Sequence, residues 1–172
     1  MKQASTVKLY SYGYGETKTY LLAVLFAIGN IALPQLCHAA MPHGGMIWLP
    51  IYFFTLVGAF KYGWRVGLLT AIASPIANHL MFGMPMAAVL PAILAKSTLL
   101  AIGAGYAAQR AGKVSVALLA GVVVFYQLLG SLAEWALTGS GMAALQDVRM
   151  GLPGMALQII GGYAVIKYIL KK

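Results

Sequence analysis

The sequence predicts an all-α polytopic membrane protein of six transmembrane helices with cytoplasmic N- and C-termini. Three observations carry this prediction. Hydrophobic residues make up 61% of the 172, and only 9% are charged, whereas roughly a quarter of a soluble domain is charged. Mean hydropathy is +0.83, more apolar surface than a water-soluble globule of this length can hide. The 12 Lys and Arg against 3 Asp and Glu, a formal charge of +9, are spaced along the chain as topology signals. Lys and Arg collect on cytoplasmic loops, so the basic balance reads as membrane orientation and not as a nucleic-acid partner. A single cysteine, Cys37, excludes a disulfide framework and a cysteine-based zinc site. Six spans of about 20 residues use about 120. Residues 1–172 therefore form one membrane domain, with no room for a separate soluble one.

Residues 1–17 are polar, and Tyr10, Tyr12 and Tyr14 alternate along them. Tyrosine favours the membrane–water boundary, which lays this tail along the interface. Apolar segments follow at about residues 19–36, 46–60, 64–82, 86–109, 114–138 and 150–170. The second is short and Pro75 interrupts the third; such breaks are tolerated where protein or a water-filled cavity satisfies the backbone. Residues 21–33 followed by 37–39 have the outline of a signal peptide. The polar lead-in and the lack of a soluble remainder to export make a retained first span the expectation. With the N-terminus inside, Lys2, Lys8, Lys18, Lys61, Arg65, Arg110, Lys113, Lys167, Lys171 and Lys172 all fall on the cytoplasmic side. Only Arg149 falls outside, and Lys96 sits within a span. The expected outer loops lie near residues 37–45, 83–85 and 139–149.

An ionisable group at the centre of a span costs about 2.5–3.5 kcal/mol on the insertion scale, so each one needs a reason. Lys96 lies about 15 Å below the outer end of the fourth helix and Glu134 about 6 Å below that of the fifth, at about 1.5 Å per residue. Two readings stay open: an ion pair that fixes helix packing, or groups that meet a polar ligand in a cavity open to the outside. Asn78, His79 and Gln158 fall at similar depth, and Trp135 adjoins Glu134. Gln127, Ser131 and Glu134 are spaced four and three apart, which puts them on one helical face. The candidate substrate-binding residues are therefore Lys96, Glu134, Gln127, Asn78, His79, Trp135 and Gln158.

The first outer loop holds Cys37, His38, Met41, His43 and Met46. These are soft-metal ligands by type, but no pair has fixed helical spacing, so no metal and no cofactor is expected. A lid over a ligand fits the loop better. No strained nucleophile turn surrounds Ser140, and no phosphate-binding glycine loop or paired acidic motif occurs. The chain is expected not to be an enzyme, and any ATP-driven work falls to a partner.

The chain resembles the substrate-binding S components of energy-coupling-factor vitamin transporters. The resemblance rests on Ala23-Val24-Leu25-Phe26-Ala27 in the first helix, on Leu49-Pro50, and on Gly58-Ala59-Phe60-Lys61-Tyr62-Gly63. Gly67-Leu68, Ser74-Pro75, Phe82-Gly83-Met84-Pro85 and Leu90-Pro91 continue it. It implies a six-helix fold that captures a vitamin or related micronutrient at the outer face of a bacterial or archaeal cytoplasmic membrane. The implied partners are an integral membrane coupling subunit and two ATPase subunits. Ala23 and Ala27 would be the docking surface, because small residues four apart let helices approach closely. Many relatives have a glutamate where this chain has Lys96, and a cation there implies an anionic group on the substrate. The alternative is a structural membrane scaffold of the rod-shape-determining type, similar in fold, with no small-molecule ligand.

Overall fold

Glycines and prolines punctuate the apolar segments, and the helices follow that punctuation. The computed structural model describes residues 7–171. Helix α1 is Thr17–Ala40, α2 Gly44–Trp48, α3 Phe53–Tyr62, α4 Trp64–Phe82 and α5 Leu90–Ala111. Then come α6 Val116–Thr138, α7 Gly141–Ala144, α8 Gln146–Met150 and α9 Leu152–Ala164, which runs on through a π turn at Val165–Ile169. Helices α4, α5 and α6 end on Gly83, Gly112 and Gly139, each left-handed, the conformation that closes a helix at least cost when no Cβ is present. Ser115 caps α6 by accepting from Leu118 N at 3.2 Å. Among the described residues no strand occurs. Four helices are long and apolar enough to cross a membrane: α1, α5, α6 and the Leu152–Ile169 stretch.

Two boundaries differ from expectation. The second apolar segment is broken, because Leu49 is left-handed at φ 45° ahead of Pro50. Proline disfavours the right-handed helical conformation at the residue before it, and here α2 stops at Leu49 and a short 3-10 turn at Pro50–Tyr52 restarts the chain. The third segment, by contrast, runs unbroken through Pro75 as α4.

Helix α3 is the centre. Leu56, Val57, Ala59 and Phe60 are all fully buried, with α4 and α5 on one side, α1 on another and α9 beyond. Helix α5 packs in turn between α4 and α6, and α9 closes against α6. The periphery is apolar, with Leu21, Val24, Leu25 and Ile28 exposed on α1, Leu128 and Leu132 on α6, and Ile160 on α9. A surface of that kind suits a membrane environment better than water.

A buried polar hub ties α1 to α3 and α4. Pro34 has no N–H, so the Asn30 carbonyl four residues earlier loses its helical donor. Asn78 Nδ2 replaces it at 3.0 Å. The Asn30 side chain accepts from Phe54 N at 3.0 Å, satisfying an amide in the first turn of α3. It also donates to Thr55 Oγ1 at 2.9 Å and Ser74 Oγ at 3.2 Å.

Ala23 and Ala27 turn inward, with 5% and 9% of their surface exposed. Thr70 Oγ1 on α4 donates to the Ala23 carbonyl at 3.3 Å. Their small side chains let α1 approach α4 closely inside the bundle, so the expected docking surface is used up within the fold.

The tail crosses the basic end of the bundle. Tyr10 N donates to Lys61 O at 2.9 Å and Tyr12 N to Tyr62 O at 3.2 Å. The rings of Tyr10, Tyr12 and Tyr62 stack, and Lys61 donates to the Lys8 carbonyl. Gln109 Nε2 at the end of α5 reaches Ser11 Oγ at 2.9 Å. Residues 1–6 and 172 of the expected interfacial and basic positions, Lys2 and Lys172 included, lie outside the described residues.

Candidate functional site

A cavity of about 310 Å³ opens at the end of the bundle away from the tail. Helix α1 contributes Pro34, Gln35 and His38, and α5 contributes Ala92, Ile93 and Lys96. Three connecting segments roof it: Met46 to Tyr52, Met84 to Met86, and Gln146 with Asp147. The roof is cross-tied. Gln146 Nε2 lies 2.6 Å from Met46 Sδ, and His79 Nδ1 lies 2.7 Å from Pro85 O. That volume is at the lower end of the range of small-molecule sites, roughly 300–1,000 Å³.

Lys96 is the charged centre, with only 2% of its side chain exposed. Its ammonium donates to Glu134 Oε2 on α6 at 2.5 Å and to Asp147 Oδ2 on α8 at 2.7 Å. Gly130, one turn before Glu134, leaves room for the lysine stem: a Cβ there would stand 2.5 Å from Lys96 Cγ. Burying an ammonium costs several kcal/mol, an expense that close carboxylates offset when the geometry is good. One ammonium against two carboxylates leaves one negative charge in excess. No protein-family model matches the chain, and neither does any curated protein or solved structure. The site therefore speaks through its own chemistry.

Of the residues singled out in the sequence, Lys96, Glu134 and Asn78 come together at the cavity. Asn78 is committed to the fold: its amide nitrogen serves the Asn30 and Ser74 carbonyls, and its oxygen accepts from Gln35 Nε2 at 3.3 Å. His79 is not in the cavity wall; it holds the α4–α5 connection through Pro85. Trp135 is 55% exposed and turns away from the site. Gln127 and Gln158 are buried but do not line the cavity. Gln158 Oε1 accepts from Tyr126 OH at 2.9 Å, and the Tyr126 ring packs on Tyr52, which does line it. The side-chain oxygen and nitrogen of Gln127, Ser97 Oγ, Ser131 Oγ and Gln158 Nε2 are buried without a hydrogen bond among the described residues. Buried polar atoms of this kind are the ones that internal water commonly satisfies.

The expectation of an anionic ligand rested on a lysine standing where many relatives in the resembled family carry a glutamate. Glu134 and Asp147 both pair with that ammonium, so the ion-pair reading of Lys96 and Glu134 is present in the structure, widened by a second carboxylate. Asp147 was missed by sequence reasoning, as were the cavity residues Gln35, Tyr52, Met84, Met86 and Gln146. A signal for Asp147 existed, since it is one of only 3 acidic residues in the chain. Among the described residues no group of three or more His, Cys, Asp or Glu is placed to hold a metal ion.

Proposed function

We propose that this chain is the substrate-binding subunit of an energy-coupling-factor-type uptake system in a bacterial or archaeal cytoplasmic membrane. It spans the bilayer six times, with the α2–α3 stretch and α4 joining the four long apolar helices. Its termini are cytoplasmic and its cavity faces outward. There it captures a vitamin or related micronutrient, which an integral coupling subunit and two ATPase subunits then import. The observation that carries the reading is the roofed cavity with the buried Lys96 ammonium held between two carboxylates at its wall. A scaffold that only recruits partners has no need to bury an ammonium against two carboxylates beside a space the size of a small molecule. Catalysis has no support of comparable weight, since among the described residues neither a nucleophile–base pair nor a metal set adjoins the cavity.

Mass spectrometry of molecules released from gently purified protein tests the reading. A single organic micronutrient, bound in proportion to protein and absent from a Lys96→Met, Glu134→Gln, Asp147→Asn variant, is expected. Protein that releases no small molecule overturns transport and favours the scaffold.

A further inference from the structure

The charge balance at the cavity wall goes further than the uptake reading, on which it rests, and names the chemistry of the ligand. Lys96, Glu134 and Asp147 are the Lys, Arg, Asp or Glu side chains lining the cavity among the described residues. Their sum is one negative charge. Glu134 Oε1 and Asp147 Oδ1 make no hydrogen bond among the described residues, since the lysine takes Oε2 and Oδ2. Each carboxylate thus keeps acceptor capacity beside the cavity. The nearest other basic group on that loop, Arg149, is exposed and turned to Met142 Sδ at 3.8 Å.

The remaining wall mixes apolar side chains with the polar Gln35, His38, Asn78 and Gln146. Its apolar members include Met46, Met84 and Met86, Pro34 and Pro50, and the aromatic Tyr52. Thioethers make favourable contacts with aromatic rings, and aromatic faces stack on flat π systems. Excess negative charge walled by apolar groups acts through a lower dielectric than water and attracts a cation correspondingly more strongly.

We propose that the cavity selects a small molecule carrying one positively charged nitrogen group on a flat, apolar or aromatic body. The cation lies against the free oxygens of Glu134 and Asp147, and the ring lies between the methionines and Tyr52. Lys96 then serves as a positioning residue, holding both carboxylates in place and cancelling one of their charges.

Benzamidinium, benzamide and benzoate share one ring and nearly one size but carry charges of plus one, zero and minus one. Their binding to the full chain in lipid nanodiscs, measured by titration calorimetry, tests the proposal directly. Benzamidinium is expected to bind about tenfold more tightly than benzamide, as one charge-assisted hydrogen bond requires, and benzoate not to bind. Asp147→Asn removes the excess charge and is expected to make benzamidinium and benzamide equal. If that variant does not fold, Glu134→Gln removes the same single charge and carries the same expectation. Equal binding of the first two by the unaltered chain, tighter binding of benzoate, or binding of none of the three overturns the proposal. A preference for benzoate leaves the uptake reading standing, because that reading falls only if purified protein releases no small molecule.

Discussion

The Asp147 carboxylate on α8 meets the Lys96 ammonium on α5 at 2.7 Å, across 51 positions of sequence. This contact pins the segment between α6 and α9 over the cavity, and Glu134 completes it from α6. Removing the lysine leaves two carboxylates facing each other in a poorly hydrated site. Lys96→Ala is expected to destabilise the chain by about 3–5 kcal/mol, the range for breaking a buried ion pair from one side. Adding Glu134→Gln and Asp147→Asn to a Lys96→Met change is expected to restore most of that loss. Denaturant unfolding in detergent micelles measures both, and a Lys96→Ala variant as stable as the parent refutes the role of the cluster.

Asn30 is expected to matter as much, although it lies away from the cavity wall. Its side chain joins Phe54 N, Thr55 Oγ1 and Ser74 Oγ. Asn30→Ala strands an α3 amide and costs about 2–4 kcal/mol, since buried polar partners are left without a bond. Thermal unfolding against Asn30→Ser, which can still accept one bond, separates the network from simple packing. Equal stability of Asn30→Ala and the parent counts against the hub.

Much of the helical frame was legible because its ends are chemically marked. Gly63 and Gly83 bracket α4, and the expected 64–82 matches Trp64–Phe82. The Lys96–Glu134 pair was legible because charge inside a span is expensive and therefore conspicuous. Asp147 was not, since an acid in a loop shows no cost until the loop folds over a cavity. Trp135 follows Glu134 in sequence, but one residue is about 100° around a helix, and that rotation turns it outward. Gln127 shares the face of Glu134 yet sits about 10 Å deeper along the axis, below the cavity floor. Sequence neighbourhood and helical face each hold one coordinate of a site, and a residue needs both.

The proposed orientation rests on charge. Arg110 ends α5 beside Gln109, and Gln109 bonds the tail at Ser11, so the tail and the basic loops share one end. A cysteine at Lys113 or Lys171, in a chain with Cys37 replaced, is expected to label only from the cytoplasmic side. A cysteine at Met142 is expected to label only from outside. Labelling of Lys113→Cys from outside in intact cells reverses the model.

Ala23 and Ala27 give a prediction opposite to that for a docking motif. Both side chains are buried, and Thr70 on α4 reaches the Ala23 carbonyl. A tryptophan at either site overpacks the interior and is expected to cost more than about 3 kcal/mol. The loss should be visible as lower thermal stability of the isolated chain, before any partner is present. A stable double variant that fails only in co-purification with a coupling subunit would restore the docking role.

Two glycines of α6 separate the site from the scaffold that carries it. At Gly121 an added Cβ meets nothing within 4 Å. Gly121→Ala therefore gains helix propensity without a clash and is expected to stabilise by about 0.5–1 kcal/mol. At Gly130 the same Cβ falls 2.5 Å from Lys96 Cγ. The lysine stem is flexible, but its ammonium is held at both carboxylates, so the stem must bend while its end stays fixed. The propensity gain is then outweighed, and Gly130→Ala is expected to destabilise by about 1–3 kcal/mol, the usual cost of overpacking. Ligand affinity should fall with it, because a displaced ammonium changes the charge that Glu134 and Asp147 present to the cavity. Thermal unfolding and benzamidinium titration on both variants read the two effects separately. If Gly130→Ala is as stable as Gly121→Ala and binds as the parent does, Lys96 has another path to its partners and the notch at Gly130 is not what positions it.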